Sequence, residues 1–122
     1  MRNIAFSGFA GDAIRLTNTL NTSITGVKVS NSGYGLSING TATGVVVQGN
    51  IFDRNATGVR LVSATNALIG GTGAGQGNTI SNATREGVFA SGFCTGSQVV
   101  KNSFAGTKTP YNVKTSRNLK IV

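Results

Sequence analysis

The chain contains few side chains that could perform acid–base chemistry. Its acids are Asp12, Asp53 and Glu86, and it has no histidine. Glycoside hydrolysis requires two carboxyl groups about 5–9.5 Å apart, and a calcium site needs about six to eight oxygen ligands, commonly from several carboxylates. The three acids are far apart in the sequence, so any joint chemistry depends on whether the fold brings them together.

Two further features could suggest a reactive site. Cys94 is the only cysteine, so it cannot form an internal disulfide, and the chain has no histidine to activate it as a nucleophile. The glycine-rich stretch at residues 69–78 lacks both the Gly-Lys-Ser/Thr ending of a P-loop and the GxGxxG spacing of a dinucleotide-binding turn. We interpret the cysteine as a small, partly buried residue and the glycines as a surface excursion. The sequence thus predicts no catalytic residue, no metal site and no cofactor.

The chain is basic, with 11 Lys and Arg residues against three acids and a net charge of +8. Such a surface attracts polyanions. No two cationic residues are adjacent and no RNP, zinc-finger or helix-turn-helix pattern occurs, so we expect no sequence-specific recognition of nucleic acid. No apolar run is long enough to span a membrane. We expect an acidic polysaccharide or another polyanion as the partner; the alternative is that the cations only keep the protein soluble.

The residues that must position these side chains recur along the chain. Residues 47–61 form a unit of two short apolar segments separated by a polar turn, and the positions 23 residues earlier carry matching residues. The matched pairs are Ile24 and Val47, Val29 and Phe52, Gly35 and Gly58, Leu36 and Val59, and Ile38 and Leu61. The segments return as Asn78-x-Ile80 with Val88-x-Ala90, and as Asn102-x-Phe104 with Tyr111-x-Val113. A period of about 20–50 residues is typical of a repeat architecture.

The apolar residues of each unit are two positions apart, which is the spacing of a β-strand rather than a helix. Such short strands can bury their inner faces only if equivalent strands of successive units lie side by side as parallel sheets, roughly 4.8 Å apart. The sequence therefore predicts an all-β solenoid of about five coils of roughly 22–24 residues, with three short parallel sheets. The predicted core columns are Val29, Phe52, Ile80 and Phe104; Leu36, Val59, Val88 and Tyr111; and Ile38, Leu61, Ala90 and Val113.

The predicted coils also assign places to polar residues. Asn50, Asn78 and Asn102 fall at one turn, where stacked amides can bond to each other and to the backbone. We therefore expect a structural asparagine ladder in the later coils.

Four outward residues are candidates for ligand contact. Arg15, Arg60 and Phe89 fall in one outward row, and Lys28 falls in a row on another face. A guanidinium group beside an aromatic ring suits an acidic sugar or a phosphate. The alternative is that these side chains are ordinary solvated surface.

The same alignment keeps the acids apart. We expect Asp12 in a column with Gly35 and Gly58, and Glu86 in a turn about three coils away, roughly 14 Å at the spacing of neighbouring strands. Asp53 falls elsewhere on the perimeter. Pairs of acids at such distances lie beyond the range that glycoside hydrolysis needs.

One stretch carries a family resemblance. The string Ile69-Gly70-Gly71-Thr72-x-Ala74-Gly75-x-Gly77-Asn78-x-Ile80-Ser81-Asn82, followed by Gly87-Val88, resembles the repeats of bacterial right-handed parallel β-helix proteins with the pectin-lyase-like fold. The resemblance implies a right-handed coil with a groove in which relatives bind polysaccharides, and an extracellular or cell-surface location. It carries over no active site, because relatives that are hydrolases use clustered carboxylates and relatives that are lyases use Asp-bound calcium with a Lys or Arg base.

We expect residues 1–122 to form a single β-helix domain, a segment of a longer protein in which any signal peptide and end caps lie outside. Three functions remain open. The first is a non-catalytic scaffold or carbohydrate-contact segment of an extracellular or surface protein. The second is a fragment of a polysaccharide lyase or glycoside hydrolase whose catalytic acids lie in other coils. The third is a fibre element that associates end to end with further copies.

Overall fold

The computed structural model describes residues 1–117 and 119–122, and this part of the chain is built from strands and turns without a helix. The strand bounds are β1 Ala5–Ser7, β2 Asp12–Leu16, β3 Ser23–Thr25, β4 Lys28–Ser30, β5 Tyr34–Asn39, β6 Val46–Gln48, β7 Ile51–Asp53, β8 Thr57–Val62, β9 Leu68–Gly70, β10 Thr79–Ser81, β11 Glu86–Phe93, β12 Gln98–Val100, β13 Ser103–Ala105, β14 Tyr111–Arg117 and β15 Lys120–Ile121. Strands β2, β5, β8, β11 and β14 are the long ones, with five to eight residues.

Each strand pairs in parallel with the equivalent strand of the neighbouring coil. Sheet 1 has the order β1-β4-β7-β10-β13, sheet 2 has β2-β5-β8-β11-β14, and sheet 3 has β3-β6-β9-β12-β15. Each order advances by three strands, so every coil adds one strand to each sheet. The predicted all-β solenoid of about five coils with three parallel sheets is confirmed.

Stacked apolar columns form the core, in the predicted register. Phe52 pairs with Val29 of the preceding coil and with Ile80 of the following one, and each of the three is at most 1% exposed. In the second predicted column, Leu36 pairs with Val59, and Val59 pairs with Val88. In the third, Ile38 pairs with Leu61, and Leu61 pairs with Ala90. Complete burial of each such side chain contributes about 1.5–3 kcal/mol. Stacking therefore supplies the stability that an isolated three-residue strand lacks.

Sheet 1 ends at a tight corner in every coil. The residues after β1, β4, β7, β10 and β13 have positive φ values between 52° and 82°. These residues are Gly8, Asn31, Arg54, Asn82 and Gly106. Glycine and asparagine adopt this left-handed conformation most readily, and Arg54 is the exception. The repeated corner turns the chain from sheet 1 into sheet 2, and we call it the 1–2 corner.

The asparagine ladder occupies the corner between sheets 3 and 1, which we call the ladder corner. Asn78 Oδ1 accepts from the Asn50 backbone N–H at 3.0 Å, and Asn78 Nδ2 donates to the Val47 carbonyl at 2.9 Å and to Asn102 Oδ1 at 2.9 Å. Val27 stands at the ladder position of the second coil, and its N–H donates to Asn50 Oδ1 at 2.9 Å. The amides thereby satisfy backbone groups that the corner would otherwise leave unpaired.

The glycine-rich stretch leaves the coil and returns to it without breaking the ladder. Asn50 and Asn78 are 28 positions apart, compared with 24 for Asn78 and Asn102. Residues 72–75 are exposed, and the Gly73 N–H donates to Gln76 Oε1 at 2.9 Å, which folds the extra residues onto themselves. The predicted surface excursion is confirmed.

Candidate functional site

The outer face of sheet 2, which we call the sheet 2 face, carries three of the four predicted contact residues. Arg15, Arg60 and Phe89 lie in one row, with Ser37 between the two arginines and Asn112 after Phe89. Two strand spacings separate Arg15 from Arg60, so their Cα atoms lie about 9.6 Å apart. The strands thus align these residues in the predicted register, while their contact with a ligand stays a prediction.

Lys28 lies on a different face from the other three. It is the first residue of β4 in sheet 1, in a row with Ala5, Ile51 and Thr79. The structure therefore separates Lys28 from the sheet 2 face.

A second row of the sheet 2 face differs from the sequence prediction. Asp12 pairs with Tyr34 rather than Gly35, Tyr34 pairs with Thr57, and Thr57 pairs with Glu86. The prediction is wrong because it assumes a constant offset, whereas Asp12 and Tyr34 are 22 residues apart and Tyr34 and Thr57 are 23 apart. Glu86 is also the first residue of β11 rather than part of a turn. The two acids thus share a row.

Glycines explain why this second row does not follow simple strand alternation. Each of its members in the second to fourth coils is followed by a glycine, namely Gly35, Gly58 and Gly87. Between β8 and β11, Thr57 pairs with Glu86 and Val59 pairs with Val88, and the register passes over Gly58 and Gly87. A Cβ atom at Gly58 would lie 2.6 Å from Cγ2 of Ile80 and 2.8 Å from the Gly87 carbonyl oxygen. The backbone therefore approaches the next coil too closely for any side chain at this point.

The first three coils hold both arginines of the face in place. The Arg60 guanidinium carbon lies 4.7 Å from the centroid of the Tyr34 ring, a cation–π contact that contributes about 0.5–1 kcal/mol at an exposed site. The Ser37 hydroxyl donates to Asp12 Oδ1 at 2.5 Å, and Arg15 Nε lies 4.0 Å from Asp12 Oδ2. Ser37 is only 1% exposed, whereas the Arg15 side chain is 65% exposed. Two guanidinium groups thus flank a small, covered serine.

The last three coils hold a buried carboxylate on the same face. Glu86 is 7% exposed. Its Oε1 accepts from the Thr57 hydroxyl at 2.6 Å, and its Oε2 accepts from Asn112 Nδ2 at 3.3 Å. Among the described residues, the ion pairs within 4.0 Å are Arg15 with Asp12 and Arg54 with Asp53, so Glu86 is held by neutral donors. It links three successive strands of sheet 2.

Asp53 anchors the 1–2 corner. Its Oδ1 accepts from the Ser81 hydroxyl at 2.8 Å and from Asn82 Nδ2 at 2.9 Å, and its Oδ2 accepts from Arg54 Nε at 2.9 Å. The hydrogen bonds from Asn82 and Ser81 hold the pKa of Asp53 below its ordinary value of 3.8, and Arg54 acts in the same direction. Both carboxylate oxygens are engaged, so Asp53 serves the corner.

The arrangement suits binding better than acid–base chemistry. Asp12 and Glu86 lie three strand spacings apart, roughly 14 Å, beyond the distance of about 5–9.5 Å between glycosidase carboxylates. Within residues 1–117 and 119–122, no group of three or more His, Cys, Asp or Glu side chains comes together to hold a metal ion. Cys94 is 0% exposed, which buries it more deeply than the sequence suggests. The face offers guanidinium groups, aromatic rings and hydrogen-bonding groups on an open surface.

Sequence reasoning missed Tyr34, Thr57 and Glu86 as members of this face. Each stands two residues before an inward apolar residue, so alternation alone predicts an inward side chain. The contacts of Tyr34 with Arg60 and of Glu86 with Asn112 place them on the outer side instead. Each of these three residues is followed directly by a glycine, and that glycine is the sequence feature that could have indicated an outward side chain.

These features define the class of protein, which is a parallel β-solenoid with an asparagine ladder and one sheet of longer strands. The family model described as right handed beta helix region matches residues 1–122. The chain therefore belongs to the right-handed β-helix family, and the resemblance is confirmed at that level. Comparisons with curated proteins and with solved structures gave no match. In the described part of the chain, no helix is long and apolar enough to cross a membrane.

Proposed function

We propose that this β-helix is a scaffold whose sheet 2 face contacts an acidic polysaccharide outside the cell or at its surface. The observation that carries the proposal is the row of Arg15, Arg60 and Phe89 on the longest strands of the solenoid. The Arg60 guanidinium is already held over the Tyr34 ring. Less side-chain freedom is therefore lost when a carboxylate binds, which favours affinity.

The spacing within the row supports an extended ligand over a compact one. Arg15 and Arg60 are about 9.6 Å apart at their Cα atoms, and Phe89 continues the row on the next coil. Ser37 lies between the arginines and is covered, so a ligand on this row meets the two guanidinium groups rather than the serine hydroxyl. A chain of acidic sugars laid along the row can meet both cations and then the phenyl ring.

The proposal is tested by titrating the protein with oligogalacturonates and with neutral oligosaccharides of the same length. We expect tighter binding of the acidic ligands. Arg60→Gln should weaken that binding by about tenfold, equivalent to 1.4 kcal/mol, and Phe89→Ala should weaken binding of both ligand types. Calorimetry at low and moderate salt gives the affinities.

The matched control is Arg2→Gln, which removes the same charge from an exposed residue away from sheet 2. We expect it to change the affinity by less than about twofold, because exposed charges more than about 8–10 Å away are screened by salt. Equal losses for Arg2→Gln and Arg60→Gln would contradict a site on the sheet 2 face. Release of unsaturated or reducing sugar ends by the wild-type chain would contradict a non-catalytic scaffold.

A further inference from the structure

Charge is distributed unevenly along the solenoid axis. Residues 1–86 contain six cations and all three acids, whereas residues 87–122 contain five cations and no acid. Those five cations are Lys101, in the turn that leads from β12 into the last coil, and Lys108, Lys114, Arg117 and Lys120 within that coil. We count this turn with the last coil, which then carries +5 of the net charge of +8.

Two ion pairs within 4.0 Å in the described part of the chain lie in the earlier coils. Arg15 lies 4.0 Å from Asp12, and Arg54 lies 2.9 Å from Asp53. Glu86, the acid nearest to the last coil, is buried against Thr57 and Asn112. Glu86 contacts Asn112 of the last coil and so offsets one of its positive charges. The other two acids lie in earlier coils, so the last coil still keeps the largest positive charge of any coil.

The lysines of the last coil point away from the core. Lys101, Lys108, Lys114 and Lys120 are all exposed. Lys120 pairs with exposed Gln98 in sheet 3, in the outward row next to the inward pair of Val99 and Ile121. Lys101 and Lys108 stand in the turns after β12 and β13. The cations thus surround the coil on its sides.

We propose that the last coil captures acidic polysaccharides electrostatically, before the sheet 2 face makes its short-range contacts. This inference takes the class of ligand from the proposed function, but it gives the first, electrostatic contact to a different part of the molecule. A cationic region concentrates an anionic polymer near the protein and raises the rate of association, with a strong dependence on salt. A linear polymer is favoured over a single small anion because the lysines are spread around the coil, and only a polymer can meet several of them at once.

The test compares two triple variants of equal net charge. One is Lys101→Gln/Lys108→Gln/Lys120→Gln in the last coil, and the other is Arg2→Gln/Arg54→Gln/Arg85→Gln in the earlier coils. Each lowers the net charge from +8 to +5, because three cations are removed. All six side chains are exposed, so both variants should fold, which a thermal melt checks. Lys114 is kept because it belongs to β14 of the sheet that the proposed function uses.

The probe is immobilised polygalacturonate, with association rates and affinities measured by a surface method from about 50 to 200 mM salt. For nucleic acids, each phosphate contact adds about 0.7–0.9 to the slope of log affinity against log salt, and we expect a similar dependence here. The last-coil variant should lose about tenfold in association rate at low salt, and its slope should fall by about two. The early-coil variant should lose less than about threefold. Equal losses in both variants would overturn the proposal, because net charge alone would then explain the attraction.

A third variant, Arg15→Gln/Arg60→Gln, separates this inference from the proposed function. If it weakens binding through faster dissociation while the last-coil variant leaves association unchanged, the sheet 2 site stands and electrostatic capture is wrong. If only the last-coil variant changes binding, capture stands and the sheet 2 site is wrong. The same variants are tested for binding to phosphatidylglycerol vesicles and to single-stranded DNA. If the last-coil variant weakens either of these interactions more than it weakens polygalacturonate binding, the choice of a polysaccharide as the ligand is wrong.

Discussion

The ladder corner and the sheet 2 face are built from the same coils, yet they use polar side chains in opposite ways. At the ladder corner, Asn50 and Asn78 are 1% exposed, and their amides bond to the backbone and to each other. On the sheet 2 face, Arg15 is 65% exposed at its side chain, and Arg60 lies against an aromatic ring. Buried amides that satisfy the backbone contribute to stability, whereas exposed cations contribute little to it. We therefore assign stability to the ladder corner and, as the proposed function, polysaccharide contact to the sheet 2 face, and the following changes test that division.

The largest expected effect is on stability at the ladder corner. Asn78→Ala removes the partners of the Asn50 N–H and the Val47 carbonyl, both of which are buried. Each buried polar group left without a partner costs about 1–3 kcal/mol, so we expect a loss of about 3 kcal/mol in the free energy of unfolding, measured by urea denaturation. Asn39→Ala at the end of β5 is the control, and a loss there as large as at Asn78 would refute a special role for the ladder.

A smaller effect is expected where the core meets the sheet 2 face. In Gly58→Ala the added methyl group would lie 2.6 Å from Ile80 Cγ2 and 2.8 Å from the Gly87 carbonyl oxygen. Overpacking of this kind costs about 1–3 kcal/mol. We expect both stability and oligogalacturonate binding to fall, because Thr57 and Glu86 move with this bend. Gly11→Ala, where a Cβ would meet no atom within 4 Å, serves as the control. Unchanged binding in a destabilised Gly58→Ala variant would show that the bend does not position the face.

On the sheet 2 face itself, stability and binding should respond differently. Tyr34→Leu removes the ring under the Arg60 guanidinium, which contributes about 0.5–1 kcal/mol at an exposed site. We expect a loss of that size in stability, together with a drop of about fivefold in affinity for oligogalacturonate as Arg60 becomes more mobile. A variant that loses stability and keeps full affinity would assign the Tyr34–Arg60 contact to the scaffold alone.

The smallest effect concerns pH and the 1–2 corner. Folding lowers the pKa of Asp53 below 3.8 through its hydrogen bonds with Asn82 and Ser81. The carboxylate therefore adds stability at pH values above the unfolded pKa, and this contribution disappears as the pH falls through the folded pKa. Urea denaturation between about pH 5 and pH 2 should show a smaller loss of stability for Asp53→Asn than for the wild type. Identical pH profiles would mean that the corner does not depend on the charge of Asp53.

Much of the fold could be predicted from the sequence, because the core residues repeat in register. The pairs of Phe52 with Val29 and Ile80, and the row of Arg15 with Arg60, follow from the spacing of apolar residues. Asn50, Asn78 and Asn102 could be aligned for the same reason, even across the glycine-rich excursion. Side chains that stack on identical positions leave a periodic pattern, and the pattern survives an insertion at a corner.

The second row of the sheet 2 face could not be predicted so readily. An error of one residue in the offset moved Asp12 from Tyr34 to Gly35, Glu86 was expected in a turn rather than in a strand, and Thr57 was given no place on the face. The bends at the glycines break the strand period locally, and bends of this kind depend on contacts between coils that no single repeat reveals. The period of the sequence repeat is enough to predict the core, whereas the sheet 2 face also depends on the irregular first residues of the long strands.

The most direct test of the separation between ladder corner and sheet 2 face is an NMR titration of the 15N-labelled chain with an oligogalacturonate. Binding at the sheet 2 face predicts amide shift changes concentrated in β2, β5, β8 and β11, with little change at Asn50 and Asn78. Shift changes centred on sheet 3 or on the ladder corner, with β2, β5, β8 and β11 unaffected, would contradict it.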